Sequence, residues 1–558
     1  MTRDDVDRGA DPHGPGNDTD GGDGDSALTR RTFLRSVGVT GIGLAAPKLL
    51  DIGKGTHLVR GGASLPVGGP VPRTPKKGGT LRIGYVGNGT SETYDPALAN
   101  TPVDSLHVYL VFDPLMRVGP YHQLEPGLAL DWQSNKDATV WEIRLRSGVT
   151  WHDGKPFTAD DVIYSFRRMG SPANLGHSAV AQFNLNGLKK LSNTLVQVPL
   201  NSPNADLSSL FGYVNAACMV QNGAKNFSKP IGTGCYKLES FTPGQQSVLT
   251  ANRDYWDSPR PYPDGLVLQS IDDDEARLNA LLSNQIDISG TLNYTQAKAG
   301  ISSSNYEVIV GYAGAQENFN MRVDQHPFTD VRVRQAMKLL INRPAMIEAA
   351  LDGFGSVLND IPGPGFPHYD SSLPQHHQDT EQAKSLLKAA GQSDLRIQLQ
   401  TCDAGLGQLQ AAEVFTQQLH QAGLTGVQLK VQPVASYYNP SLLFTKMTFA
   451  QNIWAIGSLN SFYSQALVKG AALDETHWNS SAFDTLFAKA QGATNPKQAQ
   501  QYWNQLQAMQ YNEGGYIFWA EVHNVDGLSK NVAGYGGPGV GWAYPTGDQR
   551  VWDWGLAS

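Results

Sequence analysis

The residues with the clearest potential for catalysis are a histidine and an aspartate in the run W-H-D-G at residues 151–154. A hydrogen-bonded His-Asp pair can activate a nucleophile for covalent catalysis. His152 and Asp153 are adjacent in a hairpin, however, and neighbouring residues on a strand point to opposite faces. The chain also contains no G-x-S-x-G nucleophile elbow and no H-E-x-x-H zinc motif. We therefore interpret this run as a structural turn and predict no catalytic residue.

Two acidic or histidine-rich runs could bind a metal ion. Residues 272–275 read D-D-D-E, but they lack the ligand spacing and the internal glycine of a calcium-binding loop. Acidic residues at this point are better explained as the capped start of a helix, where they complement its dipole. His376 and His377 form an isolated pair, and the chain has no C-x-x-C motif. The sequence predicts neither a metal site nor a cofactor.

Cysteine usage leaves one question open. The chain contains Cys218, Cys235 and Cys402. An exported protein can form a disulfide, and the first two are close enough in sequence to pair. The alternative is that all three are small buried residues.

The elements around the W-H-D-G run can be predicted from local signals. Residues 139–146 form a strand pattern, and the Asp153-Gly154 turn follows. Thr158 is a suitable N-cap for the next helix, and Asp161, three positions later, can complete a capping box. Val162, Ser165 and Phe166 then lie on the face that should turn inward.

An export signal precedes the folded part of the chain. Residues 29–35 read T-R-R-T-F-L-R, and a mild apolar stretch follows at 37–46, too short to span a bilayer as a helix. The pattern resembles a twin-arginine signal, which implies export of the folded chain by the twin-arginine translocase. No cysteine follows until Cys218, so no lipobox is present. We expect a protein in the periplasm or on the exterior of the cell envelope, with residues 1–63 forming an acidic lead and the signal.

Charge and size exclude some classes of partner. The 558 residues carry 43 basic and 51 acidic side chains, a net charge of -8. Such a chain has no broad attraction to nucleic acid. Its length predicts two or three domains, and we expect a monomer.

Several long runs resemble one family. Residues 124–132 read L-E-P-G-L-A-L-D-W, residues 144–165 read R-L-R-S-G-V-T-W-H-D-G-K-P-F-T-A-D-D-V-I-Y-S, and residues 327–336 read P-F-T-D-V-R-V-R-Q-A. Shorter matches include G-T-G-C-Y at 232–236. These runs are similar to family 5 of the extracellular solute-binding proteins, which includes oligopeptide-, dipeptide- and nickel-binding proteins. The resemblance covers residues 78–390 well and the remainder loosely.

The resemblance implies an α/β, two-lobed periplasmic-binding-protein-like fold of type II with two hinge strands. The hinges are expected near residues 315–320 and 520–525. Closure of the lobes on a peptide, oligosaccharide or similar solute would present a surface to the permease subunits of an ABC importer. The expected boundaries are 78–115, 215–312 and 525–558 for lobe I, 116–214 for an extra subdomain of lobe I, and 313–524 for lobe II.

The resemblance also indicates which residues line the cleft between the lobes. They lie after the first strand, on the strand that enters lobe II, and at the end of a later lobe II strand. The candidate ligand-binding residues are Tyr94, Asp95, Asn318, Asn320, Trp454 and Ser458.

One departure from the family pattern bears on the ligand. Peptide binders of this family typically carry an aspartate shortly after the lobe II tryptophan, but Trp454 is followed by A-I-G-S-L-N. A buried ammonium without a counter-charge would cost several kcal/mol. Two hypotheses remain: a solute without a simple free amine, such as an oligosaccharide, or an amine that a different acid binds. An exported sensor or chaperone on the same fold is an alternative function, and a secreted hydrolase is a weaker one because no catalytic carboxylate pair is identifiable.

Overall fold

The computed structural model describes residues 73–99, 101–118, 124–210, 217–303, 305–364, 366–438, 446–535 and 553–557. The predicted acidic lead and twin-arginine signal lie outside the described residues. Among the residues that are described, no helix is both long and apolar enough to cross a membrane.

Strands occur along the whole described chain. They are β1 Pro75–Lys76, β2 Thr80–Tyr85, β3 Met116–Val118, β4 Leu124–Pro126, β5 Ala129–Ser134, β6 Val140–Leu145, β7 Lys189–Ser192, β8 Leu195–Pro199, β9 Tyr236–Thr242, β10 Gln246–Ala251, β11 Gly265–Ser270, β12 Ile288–Ser289, β13 Glu307–Met321, β14 Gly355–Val357, β15 Ile397–Thr401, β16 Val427–Val431, β17 Phe449–Ala455, β18 Tyr516–Leu528, β19 Val532–Ala533 and β20 Gly555–Ala557.

One large mixed sheet organises the molecule. Its strand order is β16-β15-β17-β13-β18-β12-β2-β11-β10-β9, with β14 paired to β18. β15 runs parallel to β16 and β17, and β2 runs parallel to β11 and β12. The long strands β13 and β18 are antiparallel and connect these two parts of the sheet. The predicted hinge segments fall within these two strands, and their pairing is interrupted twice by register shifts.

Helices cover both faces of the sheet. They are α1 Pro102–Val111, α2 Ala159–Met169, α3 His177–Val180, α4 Asp274–Leu282, α5 Tyr294–Ser303, α6 Val331–Leu340, α7 Arg343–Ala350, α8 Thr380–Ala389, α9 Gln408–Gln421, α10 Val434–Tyr437, α11 Leu459–Ala466, α12 Ser481–Gly492 and α13 Pro496–Glu513. Short 3-10 turns occur at Gly89–Ser91, Leu185–Gly187 and Leu207–Leu210.

The pleat of β13 separates two hydrophobic cores. Phe319 and Met321 pack with residues of α6, α7 and α9 in one cluster, together with Phe449 of β17. On the other face, Trp454 of β17 packs with residues of α11, α12 and α13. Because side chains alternate along a strand, the residues between these apolar anchors form a distinct row on each face.

A second sheet, with the order β5-β6-β8-β7, lies within the range predicted for the extra subdomain. Helix α2 follows this sheet's strand β6, and its predicted capping box is confirmed. The backbone N–H of Thr158 donates to the carboxylate of Asp161 at 2.8 Å. The predicted inward residues Val162, Ser165 and Phe166 are buried. The lobe and subdomain boundaries themselves stay predictions.

Candidate functional site

A row of amide side chains lies on the face of β13 that packs toward α11 to α13. Gln316, Asn318 and Asn320 alternate along the strand and are almost fully buried. In the pairing with β17, Asn318 lies opposite Asn452 and Gln316 lies opposite Trp454. Directly opposed residues of paired strands project from the same face. The sheet therefore brings four amide groups together at its centre.

All four of these amides have at least one hydrogen-bonding atom without a protein partner. Asn318 Oδ1, both polar atoms of the Asn320 side chain, Gln316 Nε2 and Asn452 Oδ1 are buried without a partner. A buried polar atom left unpaired costs about 1–3 kcal/mol, so such atoms are uncommon in native proteins. Their concentration in one row is the pattern expected of a surface that hydrogen-bonds a polar ligand.

Trp454 is held within the protein on this face. Its indole N–H donates to Glu475 Oε2 at 2.9 Å, and its ring meets Phe462 edge-on, with 4.9 Å between the ring centroids. Only 1% of its surface is exposed. Ser458 caps α11, because its side-chain oxygen accepts from the N–H of Ser461 at 3.1 Å. Both residues therefore build the end of β17 and the helix that follows.

The opposite face of β13 carries a buried carboxyl group at Glu317. Its Oε2 accepts from Gln451 Nε2 at 3.1 Å, and its Oε1 has no partner. Gln451 Oε1 in turn accepts from Thr401 Oγ1 at 2.8 Å, which orients the amide nitrogen toward Glu317. Burial raises the pKa of Glu317 well above its ordinary value, and the hydrogen bond from Gln451 opposes that rise.

A cavity of about 440 Å³ lies between residues of the two predicted lobes. Tyr294 lines it, and the pKa of this phenol is raised mainly by burial and further by the nearby Glu317 and Asp352. Gly407, at the start of α9, has a φ of +75°, and a Cβ there would lie 2.2 Å from the carbonyl oxygen of Ala350. Only glycine allows α7 and α9 to meet this closely in the cavity wall. The lining residues are Glu275, Asn293, Tyr294, Thr295 and Gln296 from predicted lobe I, and Ala349, Ala350, Asp352, Gly407 and Gln410 from predicted lobe II.

Tyr94 and Asp95, the first two candidate ligand-binding residues, contact other parts of the protein than the amide row does. Tyr94 is fully buried and stacks on His107, with 4.5 Å between the ring centroids. Asp95 accepts from Arg168 Nη2 at 2.5 and 2.6 Å. These contacts belong to the packing of the N-terminal core and its junction with α2. The structure therefore brings Asn318 and Asn320 together near Trp454, and it does not join Tyr94 or Asp95 to that row by any described hydrogen bond or ring contact.

The groups with potential for catalysis or metal binding have structural roles. His152 lies 3.0 Å from the carbonyl oxygen of Gly234, whereas Asp153 pairs with Lys155, so the two do not form a dyad. Burial lowers the pKa of His152 to about 4. Asp273 caps α4 by accepting from the N–H of Ala276 at 2.7 Å, which confirms the predicted helix start.

His376 contacts Asp360 at 2.6 Å and stacks on Tyr511. Within the described part of the chain no group of three His, Cys, Asp or Glu side chains is arranged to hold a metal ion. All three cysteines are buried free thiols.

Sequence reasoning missed Glu317, Gln316, Asn452, Glu475 and Tyr294. A signal existed for Gln316, because β13 alternates Gln316, Asn318 and Asn320 with a row that includes Ala315, Phe319 and Met321 in a strand that is buried on both faces. Glu317 interrupts that apolar row. Glu475 gave no signal, because it approaches Trp454 only through the folding of the segment between α11 and α12.

The fold is that of the periplasmic binding proteins. The ABC transporter substrate-binding protein CtaP from Listeria monocytogenes superposes with a TM-score of 0.75 at 20% identity, covering 87% of this chain and 100% of that one. DppA from Helicobacter pylori, solved in complex with the peptide STSA, superposes with a TM-score of 0.69 at 20% identity, covering 87% of this chain and 99% of that one. These matches confirm the expected two-lobed fold class.

The chain belongs to family 5 of the bacterial extracellular solute-binding proteins, whose model matches residues 123–472. Heme-binding protein A of Haemophilus influenzae is 26% identical over 454 residues, covering 74% of this chain and 81% of the relative. The dipeptide-binding protein of Escherichia coli is 29% identical over 344 residues, covering 55% of this chain but only 63% of the relative. The family consists of solute-binding proteins and not of enzymes, so the chain has a substrate-binding role in import.

Proposed function

We propose that this protein captures a peptide-like solute outside the cytoplasm and delivers it to the permease subunits of an ABC importer. The observation that carries the proposal is the row of amides at Gln316, Asn318, Asn320 and Asn452, each of which has at least one buried polar atom without a protein partner. The open atoms are donors at Gln316 and Asn320 and acceptors at Asn318, Asn320 and Asn452, which complement the C=O and N–H groups of a peptide. The dipeptide-binding and glutathione-binding proteins among the relatives support a solute of this class.

A peptide-like solute fits the structure better than an oligosaccharide. Sugar binding by this fold would need an aromatic face free for the sugar ring to stack on. Tyr94 and Trp454 are the aromatic candidates from the sequence, but both are buried, and the N–H of Trp454 is bound to Glu475. The other hypothesis from the sequence, an amine bound by a different acid, stays a prediction.

Hinge closure is the proposed mechanism of capture. The amide row lies on the segment of β13 that is predicted as a hinge, so a solute bound there would contact both predicted lobes. Shifting an open-to-closed population from 1:99 to 99:1 needs about 5.5 kcal/mol of differential binding, which requires contacts on both lobes. We further propose that the protein is a monomer exported through the twin-arginine pathway, without a lipid-modified cysteine.

Native purification followed by mass spectrometry of the bound solute tests the ligand class. Calorimetry against di- to pentapeptides and against cello- and xylo-oligosaccharides then gives the affinities. We expect peptides to bind and the radius of gyration from small-angle scattering to fall when they do. Binding of sugars alone would contradict the peptide-like class, and a bound solute without compaction would contradict closure.

Variants of the amide row test the site itself. Asn318→Ala and Asn320→Ala should each weaken binding by about ten-fold, the equivalent of one hydrogen bond of roughly 1–1.5 kcal/mol. Asn512→Ala is the matched control, because Asn512 is exposed on α13 and its amide bonds only to the carbonyl of Ala508. Unchanged affinity in both Asn318→Ala and Asn320→Ala would show that the amide row does not bind the solute.

A further inference from the structure

The segment at residues 203–210, which we call the strap, reaches from the predicted extra subdomain to the helices of predicted lobe II. The backbone N–H of Ala205 donates to the carbonyl oxygen of Gln491, near the end of α12, with N and O 2.6 Å apart. The 3-10 turn Leu207–Leu210 at the end of the strap lies against α11. The two predicted lobes therefore meet at a second place, outside the pairing of β13 with β18.

Each side of this contact is fixed within its own part of the protein. Asn204 is fully buried, its backbone N–H donates to the carbonyl oxygen of Ala138, and its own carbonyl oxygen accepts from the indole N–H of Trp141. These bonds fasten the strap to β6 and to the turn before it. The side-chain amide of Gln491 donates to Asn460 Oδ1 at 2.8 Å, which holds α12 against α11. The contact is thus made between two preformed surfaces.

The two sides of the contact belong to separate hydrophobic cores. Leu207 of the strap packs in the cluster of the predicted extra subdomain, whereas Phe487 of α12 packs in the cluster around α11 to α13. A cavity of about 450 Å³ remains between Gln182 on one side and Ser464 and Phe487 on the other. Interfaces between domains of one chain allow relative motion unless they are large and hydrophobic. The strap can therefore leave α12 without disturbing either core.

We propose that the strap is a latch, which docks on the end of α12 when the lobes close and stabilises the closed form whichever solute is bound. This inference rests on the proposed hinge closure and not on the identity of the solute. Gly492 allows the close approach, because a Cβ there would lie 3.3 Å from the Cβ of Pro203. Beyond its own helix backbone and its chain neighbours, no other described atom lies within 4 Å of that position. A larger side chain at Gly492 would therefore push against the strap.

Gly492→Leu tests the latch by acting as a wedge. The added side chain should hold the strap away from α12, so that the closed form becomes less populated and the apparent affinity falls. Calorimetry with the di- to pentapeptides should show binding weakened by about five- to ten-fold, as for the loss of one hydrogen bond and its packing. Ala482→Leu is the matched control, because Ala482 is exposed on the same helix and lies about 15 Å from Gly492 along its axis.

A pair of introduced cysteines tests the docking without any solute. The 3.3 Å between the two Cβ positions is close to the roughly 3.5–4.5 Å that a disulfide spans. Pro203→Cys combined with Gly492→Cys should form a disulfide on mild oxidation, and the oxidised protein should have a smaller radius of gyration than its reduced form. Pro203→Cys combined with Ala482→Cys is the control and should not crosslink. The three natural cysteines are buried and should not compete.

Crosslinking with compaction, together with weaker binding by the wedge variant, supports the latch. Absence of the disulfide while both introduced thiols react with a labelling reagent overturns it. A disulfide that forms without compaction also overturns it, because the contact is then permanent, and so does wild-type affinity in Gly492→Leu. If the peptides do not bind the wild type, the proposed solute class fails, and the crosslinking experiment still decides whether the strap is a latch.

Discussion

Trp454 donates its indole N–H to the carboxylate of Glu475, with Nε1 and Oε2 2.9 Å apart. The same carboxylate accepts from the side-chain amide of Asn452, which is two residues earlier on β17. Glu475 therefore connects the segment between α11 and α12 to the end of β17. Trp454 therefore does have an acidic neighbour, Glu475. This carboxylate is already hydrogen-bonded to Trp454 and Asn452 within the protein, and it fixes the orientation of the strand that carries Asn452.

Glu475→Ala should lower the free energy of unfolding by about 2–4 kcal/mol, because two buried donors lose a charged acceptor. The midpoint and slope of urea unfolding measure the change. Glu475→Gln is the control, since its amide oxygen can keep one of the two hydrogen bonds and the loss should be smaller. An unchanged midpoint in the alanine variant would show that the contact to Trp454 does not contribute to stability.

Local signals in the sequence predicted the elements well. The capping box of Thr158 and Asp161 and the capped helix start at Asp273 depend on residues within one turn, and the structure confirms them. The apolar residues of segment 331–351 recur with a helical period, and the structure divides this segment into α6 and α7. Asn342 caps the second helix and Pro344 lies in its first turn, where a missing N–H is tolerated. A proline in the interior of one longer helix would have broken its hydrogen bonding.

The candidate site was only partly predictable. Asn318 and Asn320 could be found because polar residues interrupt a buried strand, but the position opposite Asn452 depends on the register of β17, about 130 residues later. Tyr94 and Asp95 were expected at the cleft, and the structure assigns them core contacts. The sequence pattern could not indicate that Arg168 would reach Asp95. Long-range pairings of this kind follow from tertiary packing and not from local spacing.

Asp95→Asn should lower stability without changing solute affinity. Its carboxylate pairs with Arg168 in a partly buried contact, so the expected loss is about 1–3 kcal/mol of unfolding free energy. Calorimetry with the bound solute should give an affinity within about two-fold of the wild type, since Asp95 is assigned to packing. For comparison, Asn318→Ala should reduce solute affinity without lowering stability. Strongly reduced solute affinity in a folded Asp95→Asn protein would show instead that Asp95 contributes to the ligand site.

The ion pair between Lys298 and Asp352 should favour closure. Lys298 lies in α5 of predicted lobe I and Asp352 follows α7 in predicted lobe II, with Nζ and Oδ1 2.8 Å apart. Both side chains are about half exposed, so the pair is worth at most about 1 kcal/mol. Lys298→Ala should therefore weaken solute binding by about two- to five-fold at low salt.

The salt dependence of that effect separates the ion pair from a change in packing. Because salt screens the ion pair, the solute affinities of the wild type and Lys298→Ala should become equal as the ionic strength approaches about 1 M. Lys384→Ala is the matched control, because Lys384 pairs with Glu381 within one helix and not across the two predicted lobes. Equal affinities at low salt would indicate that the contact does not contribute to the closed form.

Lys338 should make the protein more stable as the pH rises above neutrality. Its ammonium is fully buried and donates to the carbonyl oxygens of Tyr511 at 2.7 Å and Gln510 at 3.3 Å, near the end of α13. Burial lowers the pKa of Lys338 from 10.5 to about 8, Asp360 opposes that shift, and the nearby Arg334 and Arg343 add to it. The folded state thus loses this proton at a lower pH than the unfolded state. Between about pH 8 and 10.5 the unfolded chain binds more protons, so stability rises with pH in that window.

Lys338→Met removes this titration, and the difference in unfolding free energy between wild type and variant isolates it from every other group. Relative to the variant, the wild type should gain up to about 3 kcal/mol of unfolding free energy between pH 7 and pH 10, since each pKa unit corresponds to about 1.4 kcal/mol. The neutral amine still donates to the two carbonyl oxygens at high pH, whereas methionine leaves both without that donor. Lys384→Met, on an exposed face, should show no such shift. A constant difference across this range would mean that the pKa of Lys338 is not lowered in the folded protein.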